Sequence, residues 1–239
     1  MVLQFPRLKT LLVIFLFVIG HGPPPVRMID PEEIKAAALT AVTRGDSPTV
    51  DQMKKRILSD WSWVKVIVLV ENWTRFPLLD NTLIYTTGSS LYEPSDIQPG
   101  TKEVFAARKR HETLTGIYGT VSWLVEGANR RFVLMWGLPY NFDLYSNWMG
   151  VGMTREGLTT TAEQYYYFKQ MYYYYNTHDL KFVRKAFYYD ENPQTYRDTD
   201  FEIEGWMTKI HNSTATVIFK PVNDTDLAPS VRKKLGLSD

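Results

Sequence analysis

The chain has 239 residues, with 27 Lys and Arg against 26 Asp and Glu, so its formal net charge is +1. A nucleic-acid-binding protein needs a basic surface to neutralise phosphates, and this balanced charge argues against that class. The hydrophobic share of 44% is too high for a disordered chain. The absence of cysteine excludes a disulfide framework, a thiolate zinc site and a cysteine nucleophile.

Residues 1–20 have the pattern of a secretory signal peptide. Arg7 and Lys9 precede an apolar run over 11–19, and Gly20 suits the small-residue cleavage position. A membrane-spanning helix needs about 20 apolar residues, so this run favours a cleaved signal over a retained anchor. We therefore expect a secreted protein.

Residues 21–62 are predicted to form a proline-rich lead-in followed by amphipathic helices. Asp30 suits an N-cap and Pro31 the first helical position, which predicts a helix over 31–43. Gly45 breaks this pattern. We interpret the Arg-Gly-Asp triplet at 44–46 as part of that helix break rather than as a binding motif.

A second helix is predicted from Pro48 onward, capped by Asp46 or Ser47. Its polar residues occupy the side opposite the apolar ones, as in an amphipathic helix with a period of 3.6 residues. The apolar residues that recur at this spacing are Val50, Met53, Ile57 and Trp61.

Between residues 63 and 221 the apolar period becomes two, which is typical of strands. Short strands separated by turns predict a mainly β fold with a single β-sandwich, interrupted by one helix over 161–176. Residues 126–129 are predicted to form a tight hairpin turn. Residues 222–239 are expected to be a polar tail. The predicted strands are 64–70, 82–87, 102–107, 118–125, 131–138, 148–153, 201–207 and 215–220.

Motifs for catalysis or metal binding are missing from the sequence. The four histidines, His21, His111, His178 and His211, have no partner at a metal-ligand spacing. There is no nucleophile elbow, no phosphate loop and no defensible acid–base pair of carboxylates. The sequence therefore indicates a protein that is not an enzyme and that carries no cofactor or metal.

An aromatic loop follows the strand that ends near Pro139. Tyr140, Phe142 and Leu144 stand there beside small polar residues. Apolar loop residues that face water need a partner, and aromatic side chains favour the membrane interface. We expect these three residues to form a membrane-interface loop; the alternative is that they fold under the loop.

A second aromatic segment covers residues 165–175, where eight of eleven residues are aromatic. As a helix, it would pack Tyr165, Phe168, Tyr172 and Tyr175 on the sheet. So many tyrosines cannot all be buried on one side. Tyrosine and tryptophan rings that line a half-exposed surface attract a quaternary ammonium ion through cation–π interaction, and tyrosine hydroxyls suit a phosphate. The segment therefore favours a phosphocholine site.

The two segments together carry a family resemblance. Leu138-Pro139-Tyr140 followed by Tyr145-Ser146-Asn147-Trp148, with weaker agreement at 68–72, 101–109 and 201–221, resembles the signature of the actinoporin-like family of secreted pore-forming toxins. The resemblance runs over about 50–221. It implies a compact β-sandwich flanked by two helices, to which this chain adds an extra N-terminal helical segment. We can place no counterpart in the family for that segment or for an insertion at about 181–197.

The resemblance also implies a function. Such proteins bind sphingomyelin through its phosphocholine headgroup, form homo-oligomers on the target cell membrane and insert the amphipathic helix into a cation-conducting pore. Three positions depart from the family pattern: Gly137 replaces a serine, Leu144 replaces an exposed tryptophan, and Met149 replaces an aromatic residue. The implied phosphocholine site consists of Thr87, Val121, Gly137, Pro139, Tyr145, Trp148, Phe168, Tyr172 and Tyr173.

Two hypotheses about function follow. In the first, the protein is a pore-forming cytolysin whose pore helix carries Val50, Met53, Ile57 and Trp61. In the second, it is a secreted lipid- or carbohydrate-binding, lectin-like module without pore activity. The helix would then stay docked, with Met53, Ile57 and Trp61 as ordinary core residues.

Overall fold

The computed structural model describes residues 29–161 and 166–237. The expected signal peptide and most of the lead-in lie outside the described residues. The helices are α1 (Pro31–Ala41), α2 (Val50–Leu58), α3 (Tyr166–Tyr173) and α4 (Pro229–Lys234). The strands are β1 (Thr43–Arg44), β2 (Lys65–Asn72), β3 (Leu78–Thr87), β4 (Ser89–Tyr92), β5 (Thr101–Arg108), β6 (Ile117–Val125), β7 (Arg130–Leu138), β8 (Asn147–Thr154), β9 (Leu180–Phe187), β10 (Gln194–Arg197), β11 (Phe201–Met207) and β12 (Asn212–Pro221).

The strands form two sheets. The first has the order β1-β5-β2-β12-β11-β10, with β4 also paired to β5. In this sheet β12 and β2 run parallel, as do β1 and β5. The second sheet has the order β3-β6-β7-β8-β9, and all of its pairs are antiparallel.

The core lies between the inner faces of the two sheets. The rings of Trp123 and Phe132 stack at 5.4 Å, and Phe132 stacks at 5.2 Å on Phe219 of the other sheet. Alternate valines and other apolar residues of β2, β5 and β12 complete this interior. The predicted mainly β sandwich is confirmed.

All eight predicted strands are present, with ends that differ by up to four residues, and the hairpin turn at 126–129 joins β6 to β7. The sequence prediction missed β1, β4, β9 and β10. Two of them, β9 and β10, form the insertion at 181–197. In β9 the charged residues Lys181, Arg184 and Lys185 break the apolar alternation, so no strand period is visible there.

The N-terminal segment docks on the C-terminal one. The Asp30 side chain caps α1 by accepting a hydrogen bond from the Glu32 N–H at 3.0 Å, as predicted. Helix α1 ends at Ala41 and buries Ala38 against α4, where Val231 is fully buried. Residues 222–239 are therefore not the polar tail that we expected, since their described part contributes a helix to a second small core.

Helix α2 packs on the outer face of the first sheet through Met53 and Ile57. Its N-cap is Thr49, which shares a capping box with Gln52, and not Asp46 or Ser47 as predicted. The helix also ends earlier than its apolar spacing indicates. Two backbone carbonyls near its C-terminus accept hydrogen bonds from Lys65 Nζ, and Trp61 lies beyond it, 90% exposed. Trp61 is therefore not a core residue of this helix.

The connection between α1 and α2 is fixed to β5. The carboxylate of Glu103 accepts hydrogen bonds from the backbone N–H groups of Asp46 and Ser47, both at 2.8 Å. A Cβ atom on Gly45 would lie 1.8 Å from Glu103 Oε1, so only glycine allows this close approach. The Arg-Gly-Asp triplet is thus a strand end and turn held against the sheet.

None of the helices in the described ranges combines the length and the apolar character that crossing a bilayer requires.

Candidate functional site

Helix α3 covers the outer face of the second sheet. Phe168 and Met171 are buried there against Val133 and Met135 of β7. The helix ends at Tyr173, three residues before the predicted end, because Asn176 turns away to accept a hydrogen bond from the Phe182 N–H at 2.8 Å.

One tyrosine expected on the packed face of this helix is not found there. Tyr175 follows the end of α3 and is exposed. Tyr165 lies outside the described residues.

Five aromatic rings meet beside α3, with Tyr172 at their centre. Its ring stacks on Phe168 at 5.2 Å with an interplanar angle of 16°. The ring centres of Tyr173, Trp148 and Tyr118 lie 4.8, 5.7 and 6.0 Å from that of Tyr172. We call these five residues, Tyr118, Trp148, Phe168, Tyr172 and Tyr173, the tyrosine cluster. Four of them were predicted as site residues.

Tyr118 is the member that sequence reasoning missed. It lies on β6 directly opposite Gly137 of β7, on the face that α3 covers. A Cβ atom on Gly137 would lie 3.0 Å from Tyr118 Cδ1, so the glycine makes room for the Tyr118 ring, whereas Tyr172 Cε2 would be at an ordinary contact distance of 3.5 Å. The sequence contained a signal for the face on which Tyr118 lies. Tyr118 begins a predicted strand, and successive side chains of a strand point to opposite faces.

Val121 was predicted in the site, and the structure shows that this prediction is wrong. The side chain is fully buried in the core between the two sheets, on the face of β6 opposite to Tyr118. Positions 118 and 121 are an odd number apart, and residues an odd number apart on a strand face opposite sides. The comparison with the family selected the wrong face of this strand.

The remaining predicted residues line the margin of the cluster. A register shift after Tyr85 brings Thr87 opposite Tyr118, and its hydroxyl donates to the Gly116 carbonyl at 2.5 Å. Pro139 is buried directly after β7. Tyr145, in the loop that follows, is 61% exposed.

Burial keeps the hydroxyls of Tyr118 and Tyr172 protonated at neutral pH. Burial, followed by the neighbouring Tyr172, Tyr173 and Tyr145, raises the pKa of Tyr118 to about 12. Burial also raises the pKa of Tyr172, and nearby Arg184 acts in the opposite direction. Arg184 Nη1 donates to the Met171 carbonyl at 2.8 Å. The cluster thus combines π faces for a cation with neutral hydroxyl donors for an anion, and the Arg184 guanidinium lies nearby.

The β7–β8 loop, residues 139–146, presents its apolar residues unequally. Leu144 is 71% exposed and Tyr140 is partly exposed. Phe142 is held by its ring contact with His211, whose centre lies 3.8 Å away. Among the three residues expected at the membrane interface, Leu144 is therefore the most exposed.

Other loops bring apolar side chains to the same end of the sandwich. Strand β2 begins there beside the β11–β12 turn, since Lys65 pairs with Asn212. Asn147 Nδ2 ties that turn to β8 by donating to the carbonyls of Thr208 and Ile210 at 2.8 and 3.2 Å. We call the exposed apolar residues of this end the apolar rim. Its members are Trp61, Trp63, Leu114, Leu144 and Ile210.

Sequence reasoning identified only Leu144 of this rim as exposed, because the other members stand in loops far apart in the chain.

Within the described residues, no three His, Asp or Glu side chains are grouped so as to hold a metal ion. The arrangement is suited to binding a zwitterionic headgroup at an apolar surface.

No model of a protein family matches the chain. Among curated proteins, conoporin-Cn1 of Conus consors is 38% identical to this chain over 237 residues. The aligned region covers 97% of this chain and 94% of conoporin-Cn1. It is 48% identical to tereporin-Ca1 of Terebra anilis over 66% of this chain and 85% of that protein. It is 36% identical to echotoxin-2 of Monoplex parthenopeus over 84% of this chain and 72% of that protein.

Among solved structures, the lipid binding protein Nakanori matches with a TM-score of 0.55 at 16% identity, over 71% of this chain and 79% of that one. This likeness supports the fold, and the curated relatives show the family. The chain belongs to the actinoporin-like family of pore-forming toxins.

Proposed function

We propose that the protein is a secreted cytolysin that binds the phosphocholine headgroup of sphingomyelin, forms homo-oligomers on target membranes and opens a pore with its N-terminal amphipathic helix. The observation that carries this proposal is the position of the tyrosine cluster next to the apolar rim. A membrane surface can meet both at once.

The chemistry of the cluster fits both halves of phosphocholine. The faces of Tyr172, Tyr173 and Trp148 suit the trimethylammonium group through cation–π attraction. The protonated hydroxyls of Tyr118 and Tyr172 are hydrogen-bond donors for the phosphate. The exposed Leu144 and Trp63 can enter the interfacial layer and lengthen the stay of the protein on the bilayer.

The pore step is assigned to α2 and its neighbours. A helix of nine residues is about 14 Å long at 1.5 Å per residue, and the hydrocarbon core is about 30 Å thick. The inserted helix must therefore recruit residues that flank α2 in this structure. The expected cation selectivity stays a prediction, because α2 itself carries Asp51 against the basic Lys54, Lys55 and Arg56.

The test is dye release from vesicles of phosphatidylcholine alone and of phosphatidylcholine with sphingomyelin, using the chain from residue 21. We expect release only in the presence of sphingomyelin, and loss of release and binding in Tyr172→Ala. Tyr175→Ala, which removes an exposed tyrosine just outside the cluster, is the matched control and should act like the parent. Release by Tyr172→Ala at the parent rate would refute the headgroup site.

A second candidate function has its own observation. Helix α2 is docked through Met53 and Ile57, and the segment before it is fixed to β5, as expected for a binding module whose helix never leaves. A docked helix was expected to bury Met53, Ile57 and Trp61, and the exposure of Trp61 removes one of these three contacts. Binding to vesicles without dye release would favour this function over the cytolysin.

A further inference from the structure

A cleft of about 330 Å³ opens between the β7–β8 loop, the β11–β12 turn and the segment before β2. Its volume is within the range of small-molecule sites, about 300–1,000 Å³. None of its lining residues belongs to the tyrosine cluster. The lining residues are Trp63, Tyr140, Asn141, Phe142, Asp143 and His211.

The aromatic rings of this cleft are suited to a cation. Lys109 Nζ already lies 5.5 Å from the centre of the Tyr140 ring, which shows that this ring accepts a positive charge. Two further contacts hold that ammonium group in place, since it donates to the carbonyls of Arg110 and Thr113 at 3.1 and 2.6 Å. The ring of Trp63 is 74% exposed and is open to a ligand.

A carboxylate adds charge complementarity. Asp143 lines the cleft, and within the described residues its carboxylate makes no hydrogen bond or ion pair. Its backbone N–H donates to Asn141 Oδ1 at 2.9 Å, which fixes the turn of the loop. Phe142 is held against His211, so the wall between these two elements is formed before any ligand arrives. Rings around one carboxylate attract an ammonium group and repel an isolated anion.

The cleft faces the same surface as the tyrosine cluster. The β7–β8 loop passes between them, with Tyr140 and Asp143 on the cleft and Tyr145 beside the cluster. Trp63 belongs both to the cleft lining and to the apolar rim. A bilayer that reaches the tyrosine cluster therefore also reaches the cleft.

We propose that this cleft is a second headgroup site, which binds the quaternary ammonium group of a further choline lipid of the same bilayer. Trp63 and Tyr140 provide ring faces and Asp143 the countercharge. The proposal rests on the proposed function in that it assumes a membrane of choline lipids. One membrane-bound chain then holds two choline headgroups.

The test is an NMR titration of the full mature chain with soluble phosphocholine, followed through the tryptophan indole N–H signals. Trp63 reports on the cleft, Trp148 on the tyrosine cluster, and Trp61 on non-specific contact at the exposed rim. We expect saturable shifts of Trp63 and Trp148 and none of Trp61. Asp143→Asn should weaken the affinity reported by Trp63 about tenfold, since it removes the countercharge. Glu126→Gln, an exposed carboxylate in the hairpin turn after β6, is the matched control.

Each other outcome refutes at least one of the two headgroup sites. If only Trp148 shifts, the second site is wrong and the proposed function stands. If only Trp63 shifts, the headgroup site in the tyrosine cluster is wrong. If neither shifts, both are wrong. Three further results overturn the second site. The Trp63 shift could be unchanged in Asp143→Asn, it could be accompanied by an equal shift of Trp61, or it could be lost in Tyr172→Ala.

Discussion

Gly137 and Tyr118 are cross-strand partners, and the missing side chain of Gly137 gives the Tyr118 ring its place in the tyrosine cluster. The resemblance to the family suggested that Gly137 costs the site a hydroxyl. In the structure, the ring of Tyr118 occupies the space that such a side chain would need. In the phosphocholine site proposed above, the phenol of Tyr118 would replace the lost hydroxyl as a donor to the phosphate.

The first prediction concerns Gly137→Ser. The new Cβ atom would lie 3.0 and 3.2 Å from two atoms of the Tyr118 ring, so that ring must shift. Overpacking of this kind costs about 1–3 kcal/mol, and we expect a loss of stability at the lower end of that range together with weaker phosphocholine binding. Urea denaturation of Gly137→Ser, of Tyr118→Ala and of the double variant measures the coupling. The stability cost of the serine should shrink when Tyr118 is alanine, and an unchanged cost would contradict the prediction.

The second prediction concerns alkaline pH. Burial raises the pKa of Tyr118 to about 12, against about 10 for a tyrosine in the unfolded chain. A raised pKa in the folded state contributes stability that is complete below pH 10 and is lost as the pH rises towards 12. We expect the urea midpoint to fall over this interval, and to fall less in Tyr118→Phe.

The matched control for this prediction is Tyr175→Phe, which changes an exposed tyrosine. Its urea midpoint should follow that of the parent over the whole interval. Equal pH dependence in Tyr118→Phe and the parent would show that the phenol of Tyr118 is not the titrating group.

The sequence predicted the sandwich and α3 because both depend on local patterns, whereas the four predicted members of the tyrosine cluster were implied by the resemblance to the family. Alternating apolar residues mark the strands, and the density of tyrosines marks α3. The face on which a residue lies depends on strand register, and a single error of parity placed Val121 in the site and left out Tyr118.

The apolar rim could not be predicted in the same way. The sequence pattern places Trp61 at a helix end and Trp63 just before a strand, and their exposure depends on where distant loops lie. The cleft depends on loops that are more than 60 residues apart in the chain, and no local pattern contains that contact.

The third prediction concerns Arg131, whose side chain is fully buried. Its guanidinium donates to the Ser122 hydroxyl at 3.0 Å, to Asp80 Oδ2 at 2.9 Å and to three backbone carbonyls, those of Ser122, Thr159 and Asp80. Arg131→Met would leave the buried hydroxyl and carbonyl of Ser122 without this donor, together with the partly buried acceptors of Asp80 and Thr159. Loss of one partner of such a network costs about 3–5 kcal/mol, and we expect a destabilisation near the lower figure.

Asp80→Asn is the matched control, because it removes the charge of an exposed partner and leaves the backbone carbonyl in place. We expect it to cost about 1 kcal/mol or less. Urea denaturation of both variants measures the two losses in the free energy of unfolding. Arg131→Met at no greater cost than Asp80→Asn would show that the buried network contributes little.

The fourth prediction concerns how α2 can leave the sandwich if the protein forms pores. On one side of α2, Thr43 pairs with Thr101 and Ser47 Oγ accepts a hydrogen bond from the Val104 N–H at 2.7 Å. On the other side, Lys65 pairs with Arg108 of the same strand. While both ends are fixed to β5, the segment between them cannot cross a bilayer as one helix. Pore formation therefore requires the release of β1 from β5.

A reversible crosslink tests this requirement, and the chain has no other cysteine to interfere. In the variant Thr43→Cys with Thr101→Cys, the two sulfurs stand on directly paired residues of neighbouring strands. We expect the oxidised variant to bind sphingomyelin vesicles like the parent but to release no dye, and a reductant to restore release. Each single-cysteine variant should release dye with or without oxidant. Dye release by the fully oxidised double variant at the parent rate would show that β1 stays on β5 while the pore opens, and the pore helix would then have to be sought elsewhere than in α2.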